Sequence, residues 1–284
     1  MRVLLVHLSD IHFKTSTDPI ILRRDSIADA VKNLDYSLDL CVVATSGDIA
    51  YSGSESQYIA AWSFLEELGK RLTASLSSGR ENVPVPVKFV AVPGNHDCDF
   101  QGEAFARQIV AEHIAKEPDR SLDASVVEIC TQPQSQFFQF LEACAPDQTV
   151  ATNSQYSSKL YYEYRFSVRD ESIRFMCCNT AWLSQLHESP GKLIYPAEAI
   201  PNDQLPDTMR VVMFHHPYNW GEPVNSRQFR KRVESVADLI LTGHEHDATR
   251  RVQEGDGGER NTHVEGGALQ DSENWLPVVS TRLF

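Results

Sequence analysis

Positive charge is the scarcest commodity in this chain of 284 residues: 26 lysines and arginines stand against 39 aspartates and glutamates, a formal net charge of −13. Affinity for polyphosphate backbones rests on clustered basic residues, so broad non-specific adhesion to nucleic acid is excluded, although a local basic groove is not. Long apolar runs are also missing. The N-terminus, MRVLLVHLSD, has one basic residue and four consecutive apolar residues before His7, too short for the core of a secretory signal or for a membrane span. Disulfide spacing is missing too. The six cysteines, Cys41, Cys98, Cys130, Cys144, Cys177 and Cys178, follow no framework, and the last two are adjacent; free thiols in a reducing, cytoplasmic compartment are the expectation. No internal repeat and no linker divides the sequence. What remains is an ordinary globular composition, 42% apolar and 23% charged, enough to bury a sizeable core. A single domain over 1–284 is expected, with a helical excursion at about 100–150. The apolar tail LPVVSTRLF raises the expectation of truncation or of a further domain or partner chain.

Alternating periodicities organise the first third. RVLLVHLSD reads as a buried strand entering a loop, and residues 19–34 carry helical spacing with Pro19 in the first turn. LDLCVVATSGD is a second buried strand. SESQYIAAWSFLEELGKRL then opens a helix on a serine, and VKFVAVPGNHD is a third strand leaving through Pro93 and Gly94. Such a βαβαβ pattern predicts parallel strands whose carboxyl ends gather loops on one edge, where ligands bind. Residues 101–117 and 133–144 read as helices. KLYYEYRFSVRDESIRFMCCNT reads as two strands around a turn near Arg169 to Glu171, followed by the strand MRVVMFHHP, the helix SRQFRKRVESV and the strand ADLILTG. The segment EGDGGE is an expected exposed loop.

Polar residues with ligand chemistry recur at the strand ends. Asp10 and His12 follow the first strand and Asp48 the second. Asn95, His96 and Asp97 follow the third, while His215 and His216 close VVMFHHP, and His244 and His246 close LILTG. Each block alone has an ordinary explanation in turn or capping chemistry. Their repeated placement at the carboxyl ends of apolar strands predicts a shared site, and imidazole with carboxylate suits transition metals.

The order Asp-x-His, Gly-Asp, Gly-Asn-His-Asp, His-His-Pro, Gly-His-x-His resembles the calcineurin-like metallophosphoesterases, from residue 4 to about 250. The resemblance implies an α/β architecture, a four-layer αββα sandwich of mixed sheets with a dinuclear metal site at the strand ends. It implies one metal on Asp10, His12 and His246, another on Asn95, His215 and His244, and Asp48 bridging both. It makes His96 the catalytic histidine. In the His-His-Pro block, His215 is nearer the strand and is taken as the ligand; His216 then supports a ligand or faces the substrate, and Asp97 orients a neighbour. Two divalent ions (Mn, Fe, Zn or Ni, with Mn favoured) can neutralise a phosphoester and activate a bridging water as the hydroxide that attacks it. An aspartate has two oxygens and can span both ions. His96 would donate a proton to the leaving oxygen or a hydrogen bond to the phosphoryl group.

The blocks GDIAYSG and GNHD lack the aspartate-arginine pair and the Gly-Asn-His-Glu of phosphoprotein phosphatases, and look more like the phosphodiesterase branch. A phosphodiester substrate is therefore expected, and no membrane. A nuclease is the alternative, with Arg227, Arg230, Lys231 and Arg232 as a candidate basic rim. A phosphomonoesterase or a non-catalytic scaffold stands further off. Tyr161, Tyr162 and Tyr164 could stack a base, although strands favour tyrosine anyway. Cys98 is expected to be an inert buried thiol.

Overall fold

In a computed structural model, residues 1–32, 34, 37–77, 84–114, 116, 123–144, 150–151, 157–203, 205–254, 260–269 and 279–283 are described. Strands β1 (Arg2–Leu8), β2 (Leu40–Ser46) and β3 (Val87–Val92) are parallel neighbours, as their near-continuous apolar runs predict. Helix α1 (Arg23–Val31) and the 23-residue α2 (Glu55–Ser77) make the two crossovers. The expected helix over 19–34 is shorter at both ends. Residues Pro19–Leu22 form a 3₁₀ turn, capped by the Asp18 side chain on Ile20 N, and α1 stops at Val31.

Three helices follow: α3 (Phe105–Ile114), α4 (Ala124–Cys130) and α5 (Ser135–Cys144). Of the helix expected over 101–117, α3 forms 105–114 and residues 101–104 are not helical, while 115 and 117 lie outside the described residues. That over 133–144 is divided by a 3₁₀ turn at Gln132–Gln134, where Pro133 has no N–H to donate. A second sheet holds β4 (Val150–Ala151), β5 (Tyr161–Val168), β6 (Glu171–Cys178), β7 (Thr208–Met213), β8 (Leu239–Thr242), β9 (Thr249–Glu254) and β10 (Arg260–Glu265), in the order β4-β5-β6-β7-β8-β10-β9. The hairpin β5–β6 is antiparallel, whereas β6, β7, β8 and β10 run parallel in turn. Helix α6 (Pro223–Val236) joins β7 to β8; Glu222 caps it by accepting from Val224 N and Asn225 N. Strand β11 (Val279–Leu283) returns to the first sheet, antiparallel beside β1. The loop expected at EGDGGE lies almost wholly outside the described residues.

Two apolar clusters define the layers. One joins the first sheet and helices α2 and α5 to one face of the second sheet, through Tyr162, Tyr164, Phe175, Cys177, Val211, Met213 and Leu241. The alternate residues Tyr161, Met176, Cys178, Val212, Phe214 and Ile240 face α3, α4 and α6 on the opposite side. This period-two alternation makes four layers: helices, four strands, seven strands, helices. It also puts Cys177 and Cys178 on opposite faces, and all six cysteines are free. The three tyrosines of YYEY are in the core, at most 1% exposed, and none presents a stacking surface. Among the described residues, no helix is long and apolar enough to cross a membrane.

Candidate metal centre

Strands β1, β2, β3, β7 and β8 all release their chains at one edge of the sandwich, and every nominated site residue lies within a few residues of that edge. Five of them, Asp10 (φ 52°), His12 (φ 54°), Asp48 (φ 54°), His244 (φ 78°) and His246 (φ 63°), hold left-handed backbone conformations, where a side chain costs about 1 kcal/mol or more. Backbone bonds hold the loops so: Asp10 N and His12 N donate to Gly47 O and Asp48 O, at 3.2 and 2.9 Å.

The side chains fall into two donor groups. In the first, Asp10 Oδ1 is 3.4 Å from His246 Nε2 and 3.9 Å from His12 Nε2. Asp10 is fully buried, and among the described residues this oxygen accepts no well-formed hydrogen bond. Its Oδ2 is fully engaged, accepting from Ser9 Oγ at 2.5 Å and His244 N at 3.1 Å. In the second group, Asn95 Oδ1 stands 3.2 Å from His215 Nε2 and 3.1 Å from His244 Nδ1, and those two nitrogens are 3.2 Å apart. Asp48 lies between the groups, its Oδ2 3.3 Å from His215 Nε2 and 3.8 Å from His12 Nε2. His215 Nδ1–H donates to Ser46 O at 2.8 Å, which turns Nε2 inward as a lone pair when the ring is neutral.

Charge explains the electrostatics. Burial depresses His12 to about 4, and burial together with the neighbouring His215 depresses His244 to about 3, so both are neutral donors near pH 7. Burial opposes charge on His215 as well, but the Asp48 and Asp10 carboxylates outweigh it and raise this ring to about 10. Burial likewise opposes ionisation of Asp48, and His215 reverses that, holding the carboxyl well below the usual range. A buried unsatisfied carboxylate oxygen, converging lone pairs and a carboxylate between two groups fit a pair of divalent ions.

The neighbours have separate tasks. His96 N donates to Asp48 Oδ1 at 2.8 Å, and its Nδ1–H to the Tyr51 carbonyl at 2.7 Å, while its ring stands 4.6 Å from that of His12. Asp97 is a loop clamp rather than a ligand: fully buried, it accepts from Ile49 N, Ala50 N, Gly94 N and the Tyr58 hydroxyl, at 2.8–3.2 Å. Burial, with the Asp48 charge, raises it to about 6. Both ring nitrogens of His216 are occupied, Nδ1 by Thr180 Oγ1 and Nε2 by Glu188 Oε2, each at 3.1 Å. The structure therefore brings His215, not His216, to the Asn95 and Asp48 oxygens. Glu188, Thr180 and the carbonyls of Ser46 and Tyr51 escaped the sequence reading, because irregular segments and backbone acceptors carry no periodic signal.

The sequence profile of the calcineurin-like phosphoesterases matches residues 3–248. The chain belongs to this family. A curated relative, the uncharacterized metallophosphoesterase-like protein YydB of Bacillus subtilis, is 24% identical over 265 residues, which cover 88% of this chain and 50% of the relative. The chain thus spans about half the length of that phosphoesterase relative. Similar solved chains include a phosphopantetheinyl hydrolase from Mycobacterium tuberculosis (12% identity, TM-score 0.45, covering 99% of this chain and 96% of that one). A dimetal phosphatase from Danio rerio is also similar (13% identity, TM-score 0.42, covering 94% and 88%).

Proposed function

We propose that the protein is a dinuclear metal-dependent phosphodiesterase. The observation that carries this reading is the Asp48 carboxylate between two groups of donor atoms, 3.3 Å from His215 on one side and 3.8 Å from His12 on the other. Asp10, His12 and His246 would hold one divalent ion, Asn95, His215 and His244 the other, with Asp48 shared. Manganese is the favoured metal on the strength of the carboxylate and amide oxygens, while the four imidazoles suit Fe, Zn or Ni as well. When bound, the pair supplies positive charge against the phosphoryl oxygens and lowers the pKa of a water that serves as nucleophile.

The chain's own residues supply the rest. Tyr51 O fixes His96 through Nδ1, so that Nε2 meets the phosphoryl group or delivers a proton to the leaving oxygen. Asp97 keeps the Gly94 to His96 loop and the residues after Asp48 in register, which fixes the bridging carboxylate relative to His96. The diester preference rests on the GDIAYSG and GNHD blocks, which lack the aspartate-arginine pair of protein phosphatases. Six free cysteines, all with thiol pKa values raised by burial, suit a cytoplasmic setting.

The test is hydrolysis of bis-p-nitrophenyl phosphate against p-nitrophenyl phosphate, with Mn²⁺ and with EDTA, by wild type and Asp48→Ala. Cleavage of the diester that needs metal and disappears in Asp48→Ala is expected. Preference for the monoester would move the reading to phosphatases, and no cleavage by metal-loaded wild type would overturn it.

A further inference from the structure

The aromatic segment conspicuous in the sequence, Tyr161 to Tyr164, is sealed in the core, but other aromatic side chains flank the donor groups at the surface. On the His12 side, Tyr51 is 45% exposed, with its ring 5.6 Å from that of His96. The Lys14 ammonium lies 4.6 Å from the Tyr51 ring centre. On the other side stands Trp220, half-buried, its ring centre 4.1 Å from that of His244 at an interplanar angle of 83°. Its ring is also 6.0 Å from that of His216.

Trp220 is held more firmly than a rim residue needs for solubility. It ends a 3₁₀ turn, Tyr218–Trp220, directly after the His215-His216-Pro217 block. Its carbonyl accepts from Lys192 N and Leu193 N, both at 3.1 Å, which ties it to the segment after Glu188. Its indole N–H donates to Glu245 Oε1 at 2.7 Å, and Asn219 Nδ2 donates to the same oxygen at 3.1 Å. Glu245 is exposed and sits between His244 and His246; its Oε2 takes part in neither bond. A large ring of fixed orientation, beside a carboxylate oxygen that can accept from amino or hydroxyl groups, suits a flat heteroaromatic group bearing such donors.

From this geometry we infer that Trp220 is a specificity-determining residue that stacks on the base of a nucleoside phosphodiester, with Glu245 accepting from the nucleoside. This rests on the phosphodiesterase reading and names its substrate class. The net charge of −13 directs the inference to a small nucleotidyl diester rather than to a polymer. Stacking of one base on an aromatic side chain is sequence-tolerant and is worth about tenfold or more in affinity.

Two p-nitrophenyl diesters with the same leaving group test it: the p-nitrophenyl ester of thymidine monophosphate, and methyl p-nitrophenyl phosphate. The readout is the ratio of their kcat/KM values in Mn-loaded wild type, Trp220→Ala and Trp220→Phe. Any loss common to both esters reports the support that Trp220 gives His244 and cancels in the ratio. The expected result is a preference for the nucleoside ester that falls about tenfold in the alanine variant and is largely retained with phenylalanine. Calorimetry of the corresponding products, thymidine monophosphate and methyl phosphate, reads the same preference without turnover. Cleavage of both esters with a ratio unmoved by Trp220→Ala overturns the stacking role and leaves the phosphodiesterase reading intact. A nucleotide binding preference lost in Trp220→Ala, in a protein that cleaves neither ester, does the reverse. A rise in affinity with chain length on oligothymidylates, falling steeply with salt, would replace the small substrate by a nucleic acid strand.

Discussion

Gly94 offers a severe test of the centre. A Cβ at this position would lie 2.6 Å from Asp48 N and 2.8 Å from His215 Cδ2, and closer still to Asp48 Oδ1. Ordinary carbon contacts begin at about 3.5 Å, so the Asp48 carboxylate and the His215 ring would have to retreat by roughly 1 Å. The backbone itself raises no objection, since φ −107° and ψ −173° are open to alanine. Gly94→Ala is therefore a steric wedge between Asp48 and His215. Overpacking of this kind costs about 1–3 kcal/mol of stability. A misplacement of about 1 Å costs on the order of a hundredfold in rate, and the loss of Mn²⁺ affinity should be larger than the loss of stability suggests. Gly102→Ala is the matched control. Its φ of 78° penalises alanine by about 1–2 kcal/mol, yet nothing lies within 4 Å of the added carbon, so only the melting temperature should fall. The assay is metal content by mass spectrometry after Mn²⁺ loading and dialysis, alongside kcat/KM on bis-p-nitrophenyl phosphate. A Gly94→Ala protein with wild-type metal content and wild-type turnover would refute the assignment of Asp48 and His215 to the centre.

Other outcomes follow from burial and charge. His7 and His263 are both lowered to about 4 by burial. The unfolded chain thus takes up these protons first, near 6.5. The stability they contribute is complete above pH 6.5 and is lost as pH falls towards 4, by on the order of 3 kcal/mol for His7. Urea unfolding of His7→Gln should show a shallower loss than wild type across that window; parallel curves would exclude His7 as a source. Five of the cysteines are buried and Cys144 is half-buried, so Ellman's reagent at pH 8 should label at most Cys144 in the native protein and all six after unfolding; labelling of native Cys98 would contradict its burial. EDTA should lower the melting temperature of Mn-loaded protein, since metal at about a thousand times its Kd adds about 4 kcal/mol to the folded state, and an unmoved transition would argue against a resident ion.

Much of this arrangement was legible in the sequence because buried parallel strands declare themselves. RVLLV, LCVVA and VVMF are continuous apolar runs, and a Gly-Asp or His-His at the end of such a run has one edge of a sheet to occupy. Helix α4 was missed because seven residues are too few to display a 3.6-residue period, although Asp123 caps it by accepting from Ser125 N. The choice of His215 over His216 rests on strand proximity; in the structure the first ring donates to Ser46 O, and Thr180 with Glu188 occupies the second. That Glu188 would meet His216 could not be read from order along the chain. The contact depends on how an irregular segment folds back after β6.

The donor residues are divided between sheets: Asp10, His12, Asp48 and Asn95 follow strands of the first, and His215, His244 and His246 follow strands of the second. Apart from the bridge Ser9↔Ala268, the described strands of each sheet pair only within that sheet, and an apolar cluster that includes Phe175 and Met213 fills the space between the two. The thickness of that apolar filling therefore acts as a caliper, setting the gap between two half-sites much as a shim sets the jaws of a clamp. The fit of an ion in the proposed centre would then depend on the girth of residues that never touch it.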